Sequence, residues 1–129
     1  MTDAFVLGGV RTPFARYGSS LSHIRADDLL GMTIKGTYER VGVGLDQVED
    51  IVAGCVNPAH EGMGDVARWA ALAAGFPDSV AGVIISRFCG SSLSATVNVA
   101  HAIKAGDLGV GIACGVESMS PFGLGVHEG

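Results

Sequence analysis

Basic residues are scarce: 8 Lys and Arg stand against 13 Asp and Glu, giving a net charge of -5 and a pI near 5.1. A nucleic-acid binder needs clustered cations to neutralise phosphates, so nucleic acid is excluded as a partner. Aromatic residues make up only 6% of the chain, too few for an aromatic-rich binding face. No apolar run is long enough to cross a bilayer, so no membrane association is expected. Met1-Thr2-Asp3 leads straight into Ala4-Phe5-Val6-Leu7 without a basic leader, and the expected location is the cytosol. The 3 cysteines, Cys55, Cys89 and Cys114, are odd in number, include no C-x-x-C pair and have no histidine at metal-ligand spacing. Neither a disulfide framework nor a metal site is expected from them. What remains is globular material: 129 residues, 48% hydrophobic, with 20 glycines for tight turns and close backbone contacts. This suits one domain or part of one.

Short apolar runs alternate with segments of helical period, the pattern of an α/β fold with a mostly parallel sheet and helices on both faces. Four strands are predicted: Ala4–Val10, Ile51–Val56, Val80–Ile85 and Leu108–Cys114. The last three alternate too little for a solvent-facing strand and are expected to be buried on both faces. Between the first two, Ala26, Leu29, Leu30, Ile34, Tyr38 and Val41 recur at helical spacing, with Asp27 and Asp28 in the first turn and Gly42 past the end. Asp65–Ala74 reads as a second helix, ended by Gly75 and Pro77. A third is expected from about Cys89 to Lys104, closed by Gly106. Its Leu93, Ala95, Val97, Val99, Ala100, Ala102 and Ile103 are apolar nearly all round, which predicts a helix enclosed by protein. In such a sheet the loops leaving the carboxyl ends open on one edge, where ligands bind. Here those loops are Arg11–Ile24, Asn57–Gly64, Ser86–Gly90 and Val116–Pro121.

Cys89 lies on one of them, within Ile84-Ile85-Ser86-Arg87-Phe88-Cys89-Gly90-Ser91-Ser92-Leu93. The strand-to-helix junction has small residues after the cysteine, so the backbone can turn sharply. A helix start offers free N–H groups and a positive dipole end, which favour a thiolate and an oxyanion formed beside it. An isolated cysteine next to an apolar strand is, however, more often a small core residue, and no base is visible beside this one. The residues alone leave both readings open.

Arg87-Phe88-Cys89-Gly90-Ser91-Ser92-Leu93 resembles the nucleophile segment of thiolases, whose typical form has Asn where this chain has Ser86. Gly9-Val10-Arg11-Thr12-Pro13-Phe14, followed by Gly18-Ser19-Ser20-Leu21, is similar to the thiolase opening, and Gly115-Val116-Glu117-Ser118-Met119-Ser120 to the segment ending the strand after the third helix. The three occur in family order. The resemblance implies a thiolase-like fold in which residues 1–129 form most of the first of two similar halves. It implies acyl transfer between coenzyme A thioesters: Cys89 takes an acyl group from an acyl-CoA, a second cysteine removes a proton from acetyl-CoA, and the carbanion attacks the enzyme thioester, or the reverse. Acyl-CoA and acetyl-CoA are the implied substrates, no bound cofactor is implied, and the complete enzyme is expected to be a homo-oligomer. The family's G-H-P histidine, C-x-G cysteine, N-E-A segment and loop domain have no counterpart in these residues. The N-terminal thiolase domain is therefore expected to be incomplete here, a fragment or truncated gene product.

Other candidates are weaker. His60 lies on the expected active edge but in an acidic loop, Glu61–Asp65, that suits a solvated histidine better than a base. His23 is expected at a helix boundary, His101 packed in the third helix and His127 on the tail. Cys55 and Cys114 fall in apolar strands where burial makes a thiol inert. Arg11 and Arg87 flank the edge and are expected in structural ion pairs. Glu117 fits a general base or, equally, a carboxylate orienting loop N–H groups. Gly109 and Gly111 lie within a predicted strand rather than after one, which argues against a dinucleotide loop and for close helix packing. Three functions follow: a thiolase-type acyltransferase, a half-chain active only with a separate C-terminal half, or a non-catalytic interaction module.

Overall fold

The computed structural model describes residues 3–58 and 64–120. Helix α1 spans Ala26–Val41 and starts where Arg25 pairs with Asp27 at 2.8 Å, with Asp27 and Asp28 favourably placed at the positive end of the helix. It ends at Gly42, whose φ of 72° lets its N–H turn back to Tyr38 O. A 3-10 turn at Leu45–Gln47 leads into strand β1, Asp50–Gly54. Helix α2, Val66–Ala73, is capped by Asp65, whose carboxylate accepts the N–H groups of Ala67 and Arg68 at 3.0 and 3.2 Å. Past its end, Gly75 sits at φ 86° and Phe76 N–H bonds to Ala71 O at 3.0 Å, closing the helix in the Schellman manner. Strand β2 is Ala81–Ile85, helix α3 is Ser91–Ala105, closed by Gly106 at φ 89°, and strand β3 is Gly111–Gly115. Among the described residues no helix is long and apolar enough to cross a membrane.

The three strands form a parallel sheet in the order β2-β1-β3. Its two faces follow from the period of a strand. Ile51, Ala53 and Cys55 pack with α1 and α2 around Leu30, Ile34, Val66, Ala70 and Phe76, while Val52 packs with Ala95 and Val99 of α3. Where α1 crosses α2, a Cβ on Gly31 would lie 3.1 Å from Ala70 O and 3.2 Å from Ala73 Cβ, so the helix pair meets through small residues. Helices therefore cover both faces, as the sequence pattern requires.

Three expectations need correction. Residues 4–10, predicted as a strand, belong to no strand, because none of the described residues offers them a ladder partner. Gly8 and Val10 lie instead beside Val41 and Gly36 of α1, leaving Phe5, Val6 and Leu7 exposed. Only β1 is buried, from Ile51 to Gly54; β2 and β3 flank it and are partly open, since among the described residues each pairs on one side only. Helix α3 is covered on one face alone: Ser91, Ala95 and Val99 are buried, while Leu93 and Val97 are exposed.

Candidate active site

The parallel register brings Gly54, Ile85 and Gly115 level at one edge of the sheet. The backbone continues the ladder one step further: Cys55 N–H donates to Ile85 O and Val116 N–H to Gly54 O, each at 3.1 Å. From Ile85 the chain enters a tight turn, residues 86–90, before α3 begins at Ser91. Gly90 N–H donates to Arg87 O and Ser91 N–H to Phe88 O, both at 3.0 Å. The buried Ser91 hydroxyl fastens the same turn, accepting Arg87 N–H at 2.8 Å and donating to Phe88 O at 2.6 Å. Phe88 is held at φ 48°, the one non-glycine residue in the left-handed region among those described. Cys89 follows it and is exposed.

Cys89 thus precedes α3 by two residues instead of opening it as expected. Gly90, at the N-cap, contributes no side-chain cap, so the positive end of α3 is left to the backbone beside the thiol. The first turn of α3 rests on two glycines that sequence reasoning did not single out. A Cβ on Gly54 would overlap the backbone of Ser91 and Ser92, and one on Gly115 would overlap Ser92 Oγ and lie 3.0 Å from Ser92 Cβ. The available signal was a glycine at the end of each apolar strand, a mark of close backbone approach.

Residues 4–126 match the family model described as thiolase, N-terminal domain. The chain belongs to the thiolase family. It is 47% identical to the 3-oxoadipyl-CoA/3-oxo-5,6-dehydrosuberyl-CoA thiolase of Escherichia coli, over 97% of this chain and 32% of the relative. With the β-ketoadipyl-CoA thiolase of Acinetobacter baylyi it shares 45% identity over 100% of this chain and 33% of the relative. The fold is that of a solved acetyl-CoA acetyltransferase from Bacillus anthracis, with a TM-score of 0.88 and 30% identity over 100% of this chain and 35% of that one. The chain therefore spans about a third of the length of these thiolases. The family named from the three sequence segments is the one matched.

Around the thiolase-like turn the remaining groups sort as follows. Cys55 and Cys114 are withdrawn from solvent: burial first, and the charge of Glu117 second, push the Cys55 thiol from 9.0 up to about 11, and burial pushes Cys114 from 9.0 to about 12. Cys114 Sγ lies 3.6 Å from Val52 O. Glu117 uses both oxygens on backbone donors, Oε2 accepting Val56 N–H at 2.8 Å and Oε1 accepting Asn57 N–H at 3.1 Å, so it orients a loop. Arg11 donates to Thr12 O and lies over the Phe14 ring, with its guanidinium 5.3 Å from the ring centroid. Among the described residues neither Arg11 nor Arg87 forms an ion pair, contrary to expectation, because no carboxylate among them reaches either guanidinium. His101, expected in a core, is exposed on the open side of α3. His23 is exposed shortly before α1, as expected, while His60 and His127 lie outside the described residues. Gly111 does bring the third helix close, since its Cβ would stand 2.9 Å from Val99 Cγ1, but Gly109 does not: its neighbour is the Glu49 carboxylate, which accepts its N–H at 3.0 Å. Gly18 N–H donates to Ser120 Oγ at 3.1 Å, tying the loop before α1 to the one after β3. Among the described residues no group of three or more His, Cys, Asp or Glu side chains is placed to hold a metal ion.

Proposed function

We propose that this chain carries the nucleophile of a thiolase-type acyltransferase that forms or cleaves 3-ketoacyl-CoA. The observation that carries the reading is the exposed Cys89 thiol on a clamped strand-to-helix turn, beside the open N-terminal end of α3, while the other two thiols are withdrawn. The Cys89 thiolate attacks the thioester carbonyl of an acyl-CoA. The tetrahedral oxyanion is stabilised by backbone N–H groups at the helix start, the bond from carbonyl carbon to CoA sulfur breaks, and CoA leaves as a thiolate that takes up the proton released when the Cys89 thiol ionised, while the acyl group remains on Cys89 Sγ. The second half of the cycle, proton removal from acetyl-CoA and attack of its carbanion on the acyl-enzyme, requires groups that the described residues near the sheet edge do not supply. Relatives at 47% and 45% identity are named for 3-oxoadipyl-CoA and β-ketoadipyl-CoA, which makes a dicarboxylic 3-ketoacyl chain the first substrate class to test.

A second reading is favoured by the exposed apolar side of α3 with Leu93 and Val97: the chain acts as one half of a thiolase, in association with a separate C-terminal half that covers this side. One experiment addresses both. The chain is incubated with acetyl-CoA, with and without a thiolase C-terminal half, and followed by intact-mass and peptide mass spectrometry. An acyl mass on Cys89, lost in Cys89→Ala, supports the acyl-transfer reading; acylation elsewhere, or none in either arm, rejects it. Acylation only in the presence of the second half favours the half-subunit reading.

A further inference from the structure

Glu117 stands two residues beyond the end of β3, yet its carboxylate serves the outlet of β1. Its oxygens accept two consecutive backbone N–H groups, those of Val56 and Asn57, at 2.8 and 3.1 Å. The strand ladder ends one step earlier, at the bond from Val116 N–H to Gly54 O. The side chain of Glu117 therefore takes over where backbone acceptors run out, and a charged acceptor makes the stronger bond.

The clamp is connected to the nucleophile on both sides. Cys55, next to Val56, donates its N–H to Ile85 O, and Ile85 is the last residue of β2 before the turn that carries Cys89. Gly115, two residues before Glu117, lies under Ser92 in the first turn of α3. The contacts close a ring that runs from the β3 end through Glu117 to the β1 outlet, across to the β2 end, along the Cys89 turn into α3, and back to Gly115. We propose that Glu117 is a positioning residue for acyl transfer at Cys89, its carboxylate holding the β1 outlet to the β3 end and thereby setting the seat of the nucleophile turn. This rests on the reading of Cys89 as the acyl acceptor. A general-base role is not the one the geometry serves, since both oxygens are committed to backbone donors.

The test compares the wild-type chain with Glu117→Gln and Glu117→Asp by two reactions at Cys89. Acylation from acetyl-CoA demands an aligned thioester, whereas alkylation by iodoacetamide demands only an accessible thiolate. Glu117→Gln keeps the size but turns one acceptor into a donor, and Glu117→Asp keeps the charge but loses reach. In both variants the limiting acylation rate is expected to fall by about tenfold or more, the scale that small misplacements reach, while alkylation of Cys89 stays within about twofold. Acylation within about twofold of wild type in Glu117→Gln, or full retention in Glu117→Asp, overturns the positioning role. Should Glu117→Gln lose its far-UV circular dichroism, hydrogen exchange on the wild type decides: protection of the Val56 and Asn57 amides comparable to that of Cys55 supports the clamp, and exchange at an open-loop rate overturns it. Absence of any acyl mass on Cys89 in the wild type, both alone and with a thiolase C-terminal half, rejects the acyl-transfer reading and this proposal with it, an outcome distinct from loss of the positioning role alone.

Discussion

Phe88 holds φ at 48° with 78% of its surface open to solvent, so burial returns little for a conformation that costs a phenylalanine about 1–2 kcal/mol. Such strain persists only when the surroundings over-determine it, and here the Ser91 hydroxyl grips the turn on both sides of Phe88 while the next residue presents its thiol. The same contrast orders the three cysteines. Iodoacetamide is expected to modify Cys89 first in the folded chain, as peptide mapping of a time course will show; earlier modification of Cys55 or Cys114 would count against the site. The pH dependence has a definite sign. The unfolded thiols ionise near 9.0, whereas in the fold Cys55 and Cys114 keep their protons to about 11 and about 12. Stability from these groups is complete below pH 9 and is lost as pH rises toward 11 and 12, by about tenfold in the folding constant per pH unit for each thiol. Urea midpoints measured across that window should fall less in Cys114→Ala than in the wild type. The place of Cys89 on a strand-to-helix turn was legible in the sequence, but the grip of Ser91 and the strain at Phe88 were not, because both depend on backbone torsions that residue type does not fix.

At the scale of elements, the seat of α3 is the feature on which the site depends. Gly54→Ala would force a methyl group into the backbone of Ser91 and Ser92, and overpacking of this kind costs about 1–3 kcal/mol. The expected result is a lower urea midpoint together with slower acylation of Cys89; a variant as stable and as reactive as the wild type would show that the contact is not constraining. Helices α1 and α2 were legible almost to the residue because their stop signals are local: Gly42 and Gly75 take the left-handed conformations their positions require, and Asp65 caps its own helix. Strand edges were read less well. The β1 and β2 runs were placed within two residues, but β3 was predicted to start at Leu108 and starts at Gly111, since an apolar run does not reveal where a ladder partner begins. The run at residues 4–10 makes the same point more strongly, because a strand exists only through pairing and its sequence pattern gives no information on whether a partner is at hand. Gly54 and Gly115 were missed for a related reason: their value lies in contact with Ser91 and Ser92, which are distant in the chain.

Over the whole molecule, surface and chemistry point the same way. Leu93 and Val97 on α3 are 70% and 44% exposed, and Phe5, Val6 and Leu7 are exposed as well, more apolar side chain than a small monomer usually leaves open. Self-association or low solubility of the purified chain is expected, read by light scattering as a mass that grows with concentration; a stable monomer at high concentration would contradict it. The last expectation concerns turnover. Thioester acylation needs an accessible nucleophile and a few aligned N–H groups, and the Cys89 turn offers an exposed cysteine two residues before a helix start without a side-chain cap. Condensation needs more: a group to activate the thiolate through repeated cycles and another to remove a proton from acetyl-CoA. Among the described residues the side chains near the sheet edge do not offer these, since Glu117 is engaged by Val56 and Asn57 and the other two cysteines hold their protons well above neutral pH. Members of a cooperative catalytic set act as a unit, so loss of even one typically lowers the rate by orders of magnitude. The 129-residue chain is therefore expected to gain acyl mass on Cys89 slowly and stoichiometrically without releasing acetoacetyl-CoA, as followed by mass spectrometry and by chromatography of the CoA products. Sustained acetoacetyl-CoA formation by the chain alone would refute this. His60 would then be the first residue to replace, because it follows β1 in the sequence and histidine is the side chain suited to proton transfer near neutral pH.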